Sequence, residues 1–391
     1  MSANLEFFAS KKSAAVFKHG ILKRYPVVFA VKTGQRNGVL LLDGYAGRGE
    51  YEDGEPGSPL LLSRCAEFVD DYRDVLCYFV EQNEDNFNNL NQVLASKGGK
   101  ARRLVRHGSL DQHLPELLTL ADGRSLFAFL DPFGPALDFA TVKRKLLGRP
   151  SRPPTEVLLH FSVSSVARMG RAVHVARSTN GELPEKERRT ADRLNRFLGG
   201  TWWRDYFAAV TDQGDAQRAT DVALQVGAEY QRMLTSGTGF RAISMPVRPR
   251  PDLVPIYVLI LFTRSGEGAW YFADSLGKAG LEWEEAWFED RMRRDPLGQG
   301  TLFGEGPIFD KAKYLAKYEP QWVDTIAQNL RRLLDRDRAF RPMDRVPEVY
   351  GTVLGKAWGP HVRAAVRRLH AEGLVAHTGK DNFWRDVLRR T

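Results

Sequence analysis

Two acids and a cluster of glycines carry the clearest chemical signal in the chain. In LLLDGYAGRGEYEDGEPGSP, residues 40–59, Asp43 ends an apolar run, and Gly44, Gly47 and Gly49 crowd the turn behind it around Tyr45 and Ala46. Glycines at such a turn let the backbone pass close to a ligand with no Cβ in the way, although a tight strand–helix turn without a ligand uses them too. Glu81 ends a later apolar run, VLCYFVE. In dinucleotide folds an acid in that place bonds ribose hydroxyls, about 20 residues after the glycine turn. The separation from Asp43 is 38 residues, which fits if 50–58 form a loop; a solvated strand-end acid is the alternative. A third turn, His107-Gly108-Ser109-Leu110-Asp111, either bonds a bound base through Ser109 and Asp111 or starts a helix, with Asp111 as its cap before Pro115. The fourth is Asp131-Pro132-Phe133-Gly134. An acid, a rigid proline and an aromatic at a strand end face the cleft where ligands bind in open α/β sheets. The alternative is a plain turn with Phe133 in the core.

These residues need elements to bring them together. Residues 39–43, 75–81, 103–107, 126–131 and 156–161 are short apolar runs, the pattern of strands buried on both faces. Helical patterns separate them at 59–72, 85–97, 114–121 and 139–147, and residues 11–33 read as helical with a break at Pro26 after Tyr25. The alternation predicts an α/β fold, a parallel sheet with helices on both faces. Two further strands, 240–247 and 256–263, are joined by RPRPDLVP, too short for a crossover helix, so they pair antiparallel. Five parallel strands closed by an antiparallel hairpin make the inventory of a Rossmann-like class I methyltransferase sheet, which is a statement of fold alone. This domain is expected over 1–290, with an Arg-rich helical insertion at about 162–235. A linker and helix follow at 291–340, the Gly/Pro-rich part at 295–310. Residues 341–391 read as a C-terminal winged-helix-like domain. There a helix opens at Pro360, with Val362, Val366 and Leu369 on one face and Arg363, Arg367 and Arg368 off it, and a hairpin pairs 374–377 with 382–384 around Lys380.

The chain has 391 residues and a formal net charge of +9. The surplus is local: 141–200 carries a net +8 and 341–391 a net +5, whereas 1–140 and 201–340 each carry −2. Clustered arginine is the footprint of phosphate binding, or else a solvated helical surface. Two cysteines, Cys65 and Cys77, exclude a disulfide scaffold and a Cys-rich zinc site. No metal-ligand spacing, Ser-His-Asp signature or Walker loop is present; His107 and His113 lack a second cluster. The longest apolar run, 254–262, is far below the roughly 20 residues that span a bilayer. The N-terminus lacks the apolar core of a signal peptide. A cytoplasmic protein with no membrane partner is the expectation.

Together these residues resemble the three-Cys-motif partner protein (TcmP) family. The resemblance is carried by DGYAGRG (43–49), YEDGEPGSP (51–59), DPFG (131–134), TEVLLHF (155–161), the 197–203 block and YVLILFTR (257–264). It covers most of 11–290, and the tail is similar to one that many members carry. It implies a class I methyltransferase-like fold, S-adenosylmethionine as cofactor, and a three-Cys-motif, iron–sulfur-like protein as partner. On this sequence it implies that Asp43, Gly44, Gly47 and Gly49, with Tyr45 and Ala46 between them, line the methionine part of the cofactor. Glu81 binds its ribose, the Ser109–Leu110 turn lies against its adenine, and Asp131, Pro132, Phe133 and Gly134 face the methyl acceptor. DPFG is also similar to the Asp/Asn-Pro-Pro-aromatic motif of amino-methyltransferases, with the aromatic third and Gly fourth.

The leading expectation is methyl transfer to a nucleic acid or a related nitrogen nucleophile. A rival is a binding module on the same scaffold, in which Arg363, Arg367, Arg368 and Lys380 of the tail hold DNA or RNA. A nuclease comes last, because no spaced carboxylate motif is present.

Overall fold

The computed structural model describes residues 15–34, 37–51, 53–97, 99–208, 210, 216–294 and 308–391. The chain forms two compact units, one of residues 26–264 and one of 265–391 with the segment up to Tyr25. The boundary therefore falls before residue 290. Its cause is packing: helix Gly266–Arg294 presents Gly277 and Gly280 to the backbone of Ala357 and Gly355, so closely that a Cβ at either glycine would collide with a carbonyl oxygen. Of the linker expected at 295–310, residues 295–307 lie outside the described residues.

The first unit is built on seven strands: β1 (Val39–Asp43), β2 (Val75–Glu81), β3 (Arg102–His107), β4 (Ser125–Leu130), β5 (Thr155–Phe161), β6 (Arg241–Val247) and β7 (Tyr257–Thr263). Their order is β3-β2-β1-β4-β5-β7-β6. β1 to β5 are mutually parallel, and β7 runs antiparallel to both β5 and β6. This is the order of the class I methyltransferase sheet, mixed α/β with a mostly parallel core. Every residue of β1, β2 and β4 is buried, as continuous apolar runs require of central strands. β3 lies at an edge and carries Arg102, Arg103 and Arg106, charges that block further strand pairing there.

Helices α1 (Tyr25–Thr33), α2 (Ser58–Phe68), α3 (Glu84–Lys97) and α4 (Leu110–Leu120) accompany the first strands. The expected break at Pro26 lies instead at residues 23–24, and Pro26 occupies the first turn of α1, where a missing N–H costs nothing. The helix expected at 139–147 is a π-helical turn, Thr141–Leu146. Between β5 and β6 come α5 (Val163–Asn180), α6 (Glu185–Leu198), α7 (Trp203–Phe207) and α8 (Ala216–Thr235). Phe161, Phe197 and Tyr230 join this layer to the sheet, with ring centroids 5.1–5.6 Å apart.

The second unit holds α9 (Gly266–Arg294), α10 (Lys311–Asp337), α11 (Val346–Tyr350) and α12 (Gly359–Ala371). β8 (Ala339–Phe340) pairs antiparallel with β9 (Leu388–Arg389), and Val375 bridges Arg390. The hairpin expected between 374–377 and 382–384 is not formed. Phe383 and Trp384 are drawn into the core instead, 5.7 and 5.6 Å from the Trp270 ring, and the pairing moves outward to Val375 and β9. Among the described residues, no helix is long and apolar enough to cross a membrane.

Candidate functional site

The turn after β1 is tied to both neighbouring strands. Gly44 N–H donates to Phe129 O at 3.0 Å, and Ala46 N–H donates to Val80 O at 2.9 Å. The buried Asp43 carboxylate accepts the Tyr45 N–H at 3.1 Å. At Gly44 a Cβ would press on Leu130 and Leu110 at 2.9 and 3.2 Å. Gly47 differs: its φ is +65°, and no atom lies within 4 Å of where a Cβ would stand. The backbone there turns left-handed under open space, the condition for a ligand to sit on it.

Glu81 is buried, 8% exposed, which rules out the solvated strand-end acid. Its Oε2 accepts the Gly47 N–H at 2.7 Å and its Oε1 accepts the Asn83 N–H at 2.7 Å. An ionised carboxylate has about four acceptor positions, so about two remain for hydroxyl donors. Tyr45 borders the turn; burial, with the Asp111 charge adding, pushes its phenol well above the usual range and keeps it neutral.

The turn after β3 is a helix cap. Ser109 Oγ accepts the Gln112 N–H at 3.4 Å, and Gln112 Oε1 accepts the Ser109 N–H at 2.7 Å, a reciprocal capping box. The cap role expected of Asp111 thus belongs to Ser109, and Asp111 accepts the Thr141 hydroxyl at 3.0 Å. Leu110 is buried and faces Gly44, supporting the glycine turn.

At the fourth strand end, parallel pairing sets Leu130 opposite Leu159, so Asp131 and His160 follow side by side. His160 Nδ1 lies 3.4 Å from Asp131 Oδ1. The Tyr257 ring, at the start of β7, stands 4.4 Å from the His160 ring. Burial pushes the Tyr257 phenol far up, with Asp131 and Tyr51 adding to the shift, so it stays a neutral donor. Three strand ends thus gather a carboxylate, an imidazole and a phenol. Sequence reasoning missed His160 and Tyr257. The available signal was His160, a polar residue in the otherwise buried TEVLLHF run. Phe133 is 85% exposed, so the core position offered as an alternative is wrong. Pro132 is buried, and Gly134, at φ +74°, faces Ser165 of α5.

In the second unit, Arg363 is consumed internally. It donates to Gly379 O at 2.7 Å and Asp381 O at 3.0 Å, and lies 5.1 Å from the Phe383 ring. Arg368 pairs with Asp324 and Glu372. Arg367 and Lys380 are exposed. No metal-holding cluster occurs among the described residues.

The strand order, the glycine turn after β1 and the acid ending β2 define a class I methyltransferase-like fold. Among solved structures, the chain is similar to cofactor-bound Rv0187 from MTB at 14% identity, covering 66% of this chain and 90% of that one, with a TM-score of 0.33. The O-methyltransferase TomG from Streptomyces achromogenes, in complex with SAM, gives the same identity, coverages and TM-score. Mycolic acid cyclopropane synthase CmaA1, complexed with SAH and CTAB, is 14% identical over 61% of this chain and 81% of its own, with a TM-score of 0.24. No family model and no curated protein matches the chain. The fold assignment rests on strand order and register.

Proposed function

We propose that the protein is an S-adenosylmethionine-dependent methyltransferase of the three-Cys-motif partner kind, acting on a nucleic acid or a related nitrogen nucleophile. The observation that carries this reading is the Glu81 carboxylate holding the Gly47 amide beneath open space. The residues fit the cofactor: Asp43, Gly44 and Gly47 present a close backbone, and Glu81 keeps acceptor positions for a ribose. S-adenosylmethionine bound there supplies an electrophilic methyl group. Asp131, flanked by His160 and Tyr257, accepts a hydrogen bond from the acceptor nitrogen and orients its lone pair.

The order α10, β8, α11, α12, Val375, β9 supports reading residues 311–391 as a winged helix, with 376–387 as its wing. Cys65 and Cys77 are buried free thiols, Cys65 pushed up to about 12 by burial, so a cysteine cluster must come from the partner. Thiols left free also suit a reducing cytoplasm.

Isothermal titration should show S-adenosylmethionine binding that Asp43→Ala or Glu81→Ala weakens at least tenfold. Asp131→Asn should abolish transfer of a tritiated methyl group to nucleic acid while leaving cofactor binding intact. Absence of binding at millimolar S-adenosylmethionine would overturn the proposal.

A further inference from the structure

A groove of about 470 Å³ runs between α5 and α8 in the first unit. It begins at Ser164, next to Ser165, which faces Gly134 of the DPFG turn. Its floor is apolar, with Ala167, Val175 and Ala219, and its rim carries Arg168 and Arg171. No Asp or Glu lines it among the described residues. Ser164, Arg168, Arg171 and Val175 recur at i, i+4, i+7 and i+11, so they share one face of α5 over about 16 Å. Neither guanidinium pairs with a carboxylate among the described residues, whereas Arg189 of α6 pairs with Glu185 and Arg368 of the tail is doubly paired. Phe133, 85% exposed on a proline-stiffened turn, immediately precedes the Gly134 that faces Ser165.

We infer that this groove is the seat of the acceptor strand, and that the strand is single-stranded nucleic acid. This rests on the methyltransferase reading and names its substrate class. Two unpaired arginines one helical turn apart match phosphates. The apolar floor matches sugar and base faces, which a duplex keeps stacked inside. The exposed Phe133 ring offers a stacking platform beside Asp131, as single-strand binders use. Charge complementarity favours the same occupant, because residues 141–200 hold a net +8. The site differs from the tail surface suggested by sequence, where Arg363 and Arg368 are already committed.

Fluorescence anisotropy of a labelled 12-nucleotide DNA strand and its duplex, with the full-length protein at 50–200 mM KCl, tests this. The single strand should bind more tightly than the duplex. R168E/R171E should weaken it at least tenfold and reduce the slope of log K against log salt by about 1.4, two phosphates at about 0.7 each. R168Q/R171Q should act in the same direction with a smaller effect. F133A should cost roughly 5- to 100-fold. R367E/K380E in the tail should change affinity less than twofold. The proposal is overturned if both groove variants bind within twofold of the parent, if the duplex binds as well as the single strand, or if poly-glutamate displaces the strand at equal charge. S-adenosylmethionine titration of R168E/R171E should match the parent. Strand binding without any cofactor binding would sink the methyltransferase reading and leave the groove standing.

Discussion

The Glu81 carboxylate accepts the Gly47 amide proton at 2.7 Å, joining the end of β2 to the turn after β1 across 34 residues of sequence. Its other oxygen holds Asn83 N–H at the start of α3. One buried acid therefore fixes both the floor of the glycine turn and the entry to the next helix.

Glu81→Gln keeps shape but not chemistry. The amide has one acceptor oxygen, so one backbone N–H faces a donor instead. Hydrogen bonds to a charged group contribute about 1.5–3 kcal/mol, and a loss of that order is expected in urea unfolding. S-adenosylmethionine affinity should fall at least tenfold by titration. A variant that unfolds and binds as the parent does would show that the carboxylate does not hold the turn.

Gly44 and Gly47 should respond oppositely to alanine. At Gly44 the new methyl would overpack Leu130 and Leu110, at 2.9 and 3.2 Å, so Gly44→Ala should cost about 1–3 kcal/mol of stability. At Gly47 the methyl meets no neighbour but must take φ +65°, a penalty of about 1–2 kcal/mol. Gly47→Ala should therefore stay folded while its methyl blocks the ligand face. Thermal melts paired with cofactor titration distinguish the two. Equal loss of binding at equal stability in both would contradict this assignment.

What the sequence made legible follows from local physics. β1 and β2 are buried on both faces, so their apolar runs stop where the strands stop, at Asp43 and Glu81. The neighbourhood of Asp131 and His160 was hidden, because it depends on the register between β4 and β5, which pairs Leu130 with Leu159. The tail misled for a similar reason. Arg363 reads as a free charge on a basic helix, but its guanidinium is claimed by the carbonyls of Gly379 and Asp381. Likewise a hairpin around Lys380 seemed natural until Phe383 and Trp384 found Trp270.

Stability should fall at low pH through Glu116. Arg106 donates to it through Nε at 2.9 Å and Tyr78 OH at 2.7 Å, and these bonds, Arg106 first, lower its carboxyl to about 2. A depressed folded-state pKa gives stability that is present above the unfolded value near 4.5 and is lost as pH falls towards 2. The Glu116 side chain is 40% exposed, so solvent screening keeps the contribution below about 1 kcal/mol. Glu116→Gln should flatten that part of a stability–pH curve between about pH 4.5 and 2, and added salt should shrink the difference. An identical acid limb in parent and variant would remove Glu116 from the account.

Phe129 and Phe133 lie four residues apart and should separate stability from binding. Phe129 is 0% exposed in the middle of the sheet, and removing a buried phenyl group costs about 3–5 kcal/mol. Phe133 is 85% exposed, so Phe133→Ala gives up almost no burial and should lie within about 0.5 kcal/mol of the parent. A proline-stiffened aromatic held in solvent beside Asp131 contributes nothing to folding that an alanine would not. On the single-strand proposal, a base stacks on it. Urea unfolding of both variants checks the first half of this argument. A Phe133→Ala loss above about 2 kcal/mol would mean that the ring packs inside the protein and does not await a ligand.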